Sequence, residues 1–164
     1  MAARSTQQRY WLMKSEPESY SIDDLARDGS TSWDGVRNYQ ARNLMRDEMK
    51  LGDQVLFYHS GKGAGGPGVT GIARVSAAAH ADATALEKHS DYYDAKATRD
   101  EPIWMMVDIA FVEKFDAVVP LSVLRNEKQL EGMPLLQRGQ RLSVQPVSAA
   151  HFKHVCRLAK KMQG

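Results

Sequence analysis

The chain has 164 residues, a length suited to a single domain, since a globule of about 150 residues buries roughly 70% of its unfolded surface around one core. With 43% hydrophobic and 26% charged residues, the composition excludes both a disordered chain and a membrane-embedded one, and no apolar run approaches the ~18 residues of a spanning helix. A formal net charge of +2 does not by itself announce a polyanion binder. Its distribution is uneven, because no acid follows Glu131 whereas Arg138, Arg141, Lys153, Arg157, Lys160 and Lys161 do. That end can offer a basic face to phosphates, or only a solvated helix flank. Cys156 is the sole cysteine, so an intrachain disulfide and a thiolate metal cluster are excluded and a reducing compartment is favoured.

Residues 1–8 are small and polar and are expected to form a loose, flexible tail, leaving 9–164 as one domain. Tyr10 to Lys14 reads as a first strand, ended by Ser15-Glu16-Pro17 because proline cannot continue a ladder. Ser21-Ile22-Asp23-Asp24 has the form of a capping box, predicting a helix to about Asp28 that stops at Gly29. Asn38 to Glu48 predicts a second helix with Ala41, Leu44, Met45 and Met49 as its apolar stripe. Gln54 to Ser60 is apolar on both faces and reads as a central strand. The glycine-rich loop 61–68 then leads to a strand over Val69 to Val75. Residues 76–100 read as an irregular surface excursion with a helical turn near Leu86, before a long strand from Ile103 to Phe115. Pro120 to Leu124 fits a short helix, Arg141 to Gln145 a last strand, and Ser148 caps a terminal helix striped by Phe152, Val155, Cys156, Ala159 and Met162. Five strands among short helices predict a mostly antiparallel α+β domain, built as a small, partly open barrel.

The chemistry concentrates in Trp33 to Asn43, which reads Trp-Asp-Gly-Val-Arg-Asn-Tyr-Gln-Ala-Arg-Asn. This stretch is too polar for a core and too aromatic for an ordinary loop. A flat heteroaromatic ligand needs faces to stack on, which Trp33 and Tyr39 supply, and edge partners, which Asn38, Ser15, Ser60 and Ser143 supply. Lys14, Arg37, Arg42 and Arg141 suit attached phosphates. The plainer reading has Trp33 anchoring a loop and Arg37 paired with Asp34. Gly61, Gly63 and Gly66 satisfy G-x-G-x-x-G, but Pro67-Gly68 and a β-branched run follow where a helix would have to open, so a dinucleotide fingerprint is rejected in favour of a hairpin loop. His59, His80, His89, His151 and His154 lack metal-ligand spacing, no cofactor is implied, and neither a nucleophile elbow nor a carboxylate pair marks a catalytic centre. The competing reading is an enzyme acting on a nucleotide or modified base, with Glu16 or His59 as acid or base.

Tyr-Trp-Leu-Met-Lys-Ser-Glu-Pro at 10–17, the Trp33 to Asn43 stretch, Pro-x-Trp-x-x-Val-Asp at 102–108, Phe-Tyr-His-Ser at 57–60 and Arg-Leu-Ser-Val-Gln-Pro at 141–146 together resemble the EVE domain family. The resemblance covers roughly 9–160 in the expected order. It implies a PUA-like fold, a mixed and mostly antiparallel β-barrel flanked by short helices and related to the YTH domains. It further implies a non-enzymatic, monomeric binder of nucleic acid, DNA or RNA, that takes a modified nucleobase flipped from its strand. Modified cytosine in DNA is the usual proposal for the family. Carried over by position, the base pocket would comprise Lys14, Ser15, Glu16, Trp33, Asn38, Tyr39, His59, Ser60, Arg141 and Ser143, with Arg37 and Arg42 toward phosphate. Such a protein is expected in the bacterial cytoplasm, or in the nucleus if eukaryotic, with no membrane partner.

Overall fold

Alternation along two neighbouring strands divides the core. The computed structural model describes residues 8–61 and 65–162, in which β1 (Tyr10–Ser15) lies parallel to β3 (Gln54–His59) and Ser15 is opposite His59. Leu12, Leu56 and Tyr58 point to one face of the sheet, and Trp11, Met13, Val55 and Phe57 to the other. The sheet is completed by β2 (Ser30–Ser32), β4 (Gly68–Ala81), β5 (Met105–Pro120) and β6 (Val144–Val147), in the order β2-β5-β4-β3-β1-β6. Every pair except β1–β3 is antiparallel.

The architecture is therefore a mostly antiparallel α+β fold, with one correction. The sheet does not close into a barrel, because its edge strands β2 and β6 are only 3 and 4 residues long and each pairs on one side. The expected tail falls outside the described residues except for Gln8, whose side-chain amide donates to the Gly52 carbonyl at 2.7 Å.

Helices α1 (Ile22–Asp28) and α2 (Tyr39–Asp47) cover the Trp11 face, while α4 (Ala149–Lys161) covers the Leu12 face through Phe152, Val155 and Leu158. The ends of these helices follow their sequence signals. Ser21 and Asp24 form the capping box, Gly29 takes φ 82 at the end of α1, Asn38 caps α2 and Ser148 caps α4. Pro120 leads into α3 (Leu121–Arg125). Cys156 is half-buried on the apolar side of α4, and Met162, expected in the stripe, is exposed.

The strands depart further from expectation. β2 was not foreseen, β4 runs on to Ala81, β5 begins at Met105 and extends to Pro120, and β6 is displaced to Val144–Val147. β5 also changes face. Its register with β4 jumps from Ala73↔Phe111 to Ile72↔Glu113, so Val112 is a bulge residue and exposed. Val107 and Ile109 accordingly serve the Trp11 face, whereas Phe115 and Val119 serve the Leu12 face.

Candidate functional site

The parallel pair β1–β3 brings two carboxyl ends together, and β6 starts beside them. The Lys14 amide donates to the Ser143 carbonyl (2.9 Å) and the Ser60 amide to the Ser15 carbonyl (3.0 Å). Between these ends and the loop 33–37 opens a cleft of about 630 Å³. Six of the expected residues line it: Lys14, Ser15, Glu16, Trp33, Arg37 and Ser143. The remaining lining comes from Ser19, Tyr20, Thr31, Ser32, Asp34, Gly35, Val36 and Tyr92.

The loop is held from both sides. The Trp33 amide donates to the Val107 carbonyl (2.7 Å), and its indole meets Phe57 edge-on at 5.6 Å, so the side chain is both anchored to the core and part of the cleft wall. Gly35 takes φ 78 with the Tyr92 ring lying directly against it; a Cβ there would sit 2.6 Å from that ring. Asp82 reaches the loop from beyond the end of β4. Its fully buried carboxylate accepts from the Gly35 amide (2.8 Å), Arg37 Nη1 (3.0 Å) and the Thr84 amide (2.9 Å). Burial alone would push this carboxyl upward, but the hydrogen bonds from Thr84, Gly35 and Arg37 outweigh it and hold the pKa below the ordinary value. Arg37 also donates through Nε and Nη2 to the Tyr92 carbonyl (3.0 and 2.7 Å).

Arg37 therefore pairs with Asp82, not Asp34. The Asp34 carboxyl faces the cleft with its pKa raised, first by burial and then by the negative charge of Asp82. Burial lowers the pKa of the Lys14 ammonium, whose Nζ stands 5.9 Å from the Tyr58 ring. The Ser15 hydroxyl donates to the Tyr20 carbonyl (2.6 Å). On the β2 side, Ser32 Oγ donates to Asp108 Oδ1 (2.7 Å), which His80 Nε2 also meets at 2.9 Å.

The other expected residues are placed elsewhere. Asn38 Oδ1 is committed to the Ala41 amide as the α2 cap (3.0 Å). Tyr39 is 55% exposed and stacks on Trp104 outside the cleft. His59 is buried and its Nε2 accepts from the Ile22 amide (3.0 Å), joining β3 to the start of α1; burial lowers its pKa, which suits this neutral, accepting ring. Ser60 joins the strand ends through its backbone, and Arg141 is exposed away from the lining. Arg42 Nη1 donates to the Ile103 carbonyl (3.0 Å).

Asp82, which holds the loop, and Ser19, Tyr20, Thr31, Ser32 and Tyr92, which line the cleft, are absent from the sequence expectation, whereas Asp34 stands within the Trp33 to Asn43 stretch that it singled out. Asp82 and Tyr92 carried no local signal, since they approach the loop from 47 and 55 positions away. The resulting site combines an indole, two phenol rings, two carboxyls, a lysine and several hydroxyls around one opening, which suits a flat ligand bearing donors and acceptors on its edge.

Comparison with known proteins gives this geometry a family. A sequence profile of the EVE domain matches residues 9–158. Human thymocyte nuclear protein 1 is 41% identical over 171 residues, an alignment spanning 93% of this chain and 74% of that protein. A hypothetical protein from Leishmania major superposes with a TM-score of 0.90 at 47% identity, covering 96% of this chain and 98% of that one. The human THYN1 protein, solved in complex with 5-methylcytosine-containing DNA, superposes with a TM-score of 0.86 at 40% identity, covering 93% and 98%. The YTH domain of the Zygosaccharomyces rouxii MRB1 protein, solved with N6-methyladenosine RNA, shares the fold at a TM-score of 0.53 and 14% identity, covering 94% of this chain and 86% of that one. With a family profile matching almost end to end and relatives above 40% identity over nine-tenths of its length, the chain belongs to the EVE domain family.

Proposed function

We propose that this protein is a non-enzymatic reader of a modified nucleobase in nucleic acid, with modified cytosine in DNA as the leading ligand. The observation that carries the reading is the cleft of about 630 Å³, a volume in the range of small-molecule sites, with Trp33 in its wall and Lys14, Ser15, Asp34 and Ser143 at its edges. The human THYN1 complex with 5-methylcytosine-containing DNA supports the choice of ligand. A base cannot enter such a cleft while stacked in a duplex, so the reading includes a nucleotide rotated out of its strand. The indole supplies an apolar face for the ring and its added group, and the polar groups address the ring edge. The reading takes the protein as a monomer. The reading places the protein where nucleic acid is, in the cytoplasm of a bacterium or the nucleus of a eukaryote.

Fluorescence titration with matched oligonucleotides tests it. The strand carrying 5-methylcytosine is expected to bind at least tenfold more tightly than the unmodified strand, and Trp33→Ala is expected to abolish the difference. Equal affinity of the wild type for both strands sinks the reading.

A second reading, catalysis on the held base, draws on Asp34, whose raised pKa suits acid–base work. It competes with a Cys156 thiol pushed upward by burial and a His59 ring committed to Ile22, neither available as nucleophile or base. Mass measurement of the modified oligonucleotide after incubation separates the two readings, the reader leaving the mass unchanged.

A further inference from the structure

Outside the cleft, Arg37 begins a run of alternating guanidinium and aromatic groups. Its guanidinium carbon lies 5.4 Å from the Tyr92 ring centre and 5.3 Å from that of Trp104. Tyr39 stacks on Trp104 with centroids 4.8 Å apart and planes 29° from parallel. Arg42 follows, 4.8 Å from the Tyr39 centre and 5.9 Å from that of Trp104. The last three distances reveal which side of Tyr39 is occupied. Were Trp104 and Arg42 on opposite faces of the ring, they would stand apart by nearly the sum of their two distances to it. At 5.9 Å, Arg42 is not opposite Trp104 across the ring, and with Tyr39 55% exposed the side of the ring away from Trp104 is its open one.

The layer beneath that face is fixed. Trp104 is buried against Ala85 and Ala97, and its Nε1 donates to Asp94 Oδ2 at 2.7 Å. Ile103 takes φ 59, a conformation that β-branched residues rarely adopt, and its carbonyl accepts from Arg42. Tyr39 itself is the first residue of α2, directly after the Asn38 cap. A ring held in this way loses little freedom when something stacks on it.

We propose that the outer face of Tyr39 stacks the unpaired base of the nucleotide next to the one held in the cleft, so that the protein engages single-stranded DNA over at least two nucleotides. The proposal rests on the modified-base reading for the cleft and extends it to the strand around it. Continuity supports it, since Arg37 and Tyr92 belong both to the cleft lining and to the run that ends at Tyr39. Charge supports it too. Among the described residues, the Nε and Nη2 groups of Arg42 donate to the neighbouring, exposed Asn43 side chain, a contact that a phosphate beside the stacked base can replace. A base paired inside a duplex has both faces covered by its neighbours and cannot lie on this ring; an unpaired one can.

The test measures binding of the full chain to three single-stranded trinucleotide probes: a central 5-methylcytosine with both flanking bases, the same probe with abasic flanks, and the unmodified version. Removing the flanking bases is expected to weaken wild-type binding about tenfold, the scale of one base–aromatic stack. Tyr39→Ala is expected to bind the intact probe about tenfold more weakly and to ignore the abasic change, while Tyr39→Phe behaves as wild type. An unchanged melting temperature of Tyr39→Ala shows that the loss is not one of folding. Wild-type discrimination for 5-methylcytosine with no dependence on the flanking bases overturns the platform alone. A flank dependence carried by Tyr39 without discrimination supports the platform and overturns the modified-base reading.

Discussion

Asp34 and Asp82 are both drawn toward the loop 33–37, yet their pKa values move in opposite directions. Asp82 is completely buried but surrounded by donors, so its charged form is favoured; for Asp34, burial and the Asp82 charge outweigh its own backbone amide and Arg37, and favour the neutral form. The sign for stability follows. Below the ordinary carboxylate value of about 3.9, Asp34 is protonated in folded and unfolded chains alike and contributes nothing. As pH rises toward its raised native value, the unfolded chain releases the proton first, and stability falls. Asp34→Asn is therefore expected to raise the melting temperature at pH 7, with the gain shrinking toward pH 4. Calorimetry at the two pH values checks this, and a gain of equal size at both contradicts the assignment. Asp82 runs the other way, its stabilisation present above the ordinary carboxylate value and lost as pH falls through its lowered one. Six cleft-lining residues were legible from sequence because they cluster at one strand end, in one loop and at the start of β6. Tyr39 was assigned to the cleft because aromatic character can be read without a structure, whereas the direction of a side chain cannot. One turn at the start of α2 carries it outward onto Trp104.

Among the elements, the excursion after β4 changes most in meaning. It reads from sequence as a surface ornament, but it has a small core of its own in Ala85, Ala97 and Trp104, and it supplies Asp82 and Tyr92 to the loop 33–37. The loop thus depends on a segment that follows it by nearly 50 positions. Removing Asp82 leaves the Gly35 amide and one edge of Arg37 without their acceptor, and breaking a buried ion pair from one side costs about 3 kcal/mol. Asp82→Ala is expected to lose that much in urea denaturation and to weaken binding of the modified strand, although Asp82 does not line the cleft. Full stability in this variant shows that the loop stands without the excursion. Helix starts were legible at Ser21 and Ser148 because capping is local, whereas Asn38, expected at the edge of a ligand, serves as the α2 cap. β2 was not, since a strand of 3 residues shows no alternation, and the Val112 bulge was not, since a bulge is a property of a pair of strands.

At the scale of the molecule, the sheet separates two surfaces. Trp33 and α2 belong to one face, and α4, with exposed Lys153, Lys160 and Lys161, covers the other. The α4 part of the acid-free end is thus a basic flank on the opposite side of the sheet from Trp33, even though its charge made it a place to look for phosphate contacts. Among the described cations near the cleft, Arg37 is paired with Asp82 and Arg42 donates to Ile103, which leaves Lys14 outside any ion pair. A protein that holds a base with this few mobile charges releases few counterions. The slope of log K against log salt is therefore expected at about −1 to −2, corresponding to the one or two phosphates within reach of Lys14 and Arg42, where a reader of backbone and shape gives a far steeper one. Lys14→Gln should flatten the slope by about 1, as expected for one lost phosphate contact. The combined Lys153→Gln, Lys160→Gln and Lys161→Gln variant should leave slope and affinity within about twofold of wild type, since those side chains lie across the sheet. A slope steeper than about −5, or a large loss in the α4 variant, moves the nucleic acid to the basic helix and away from the cleft.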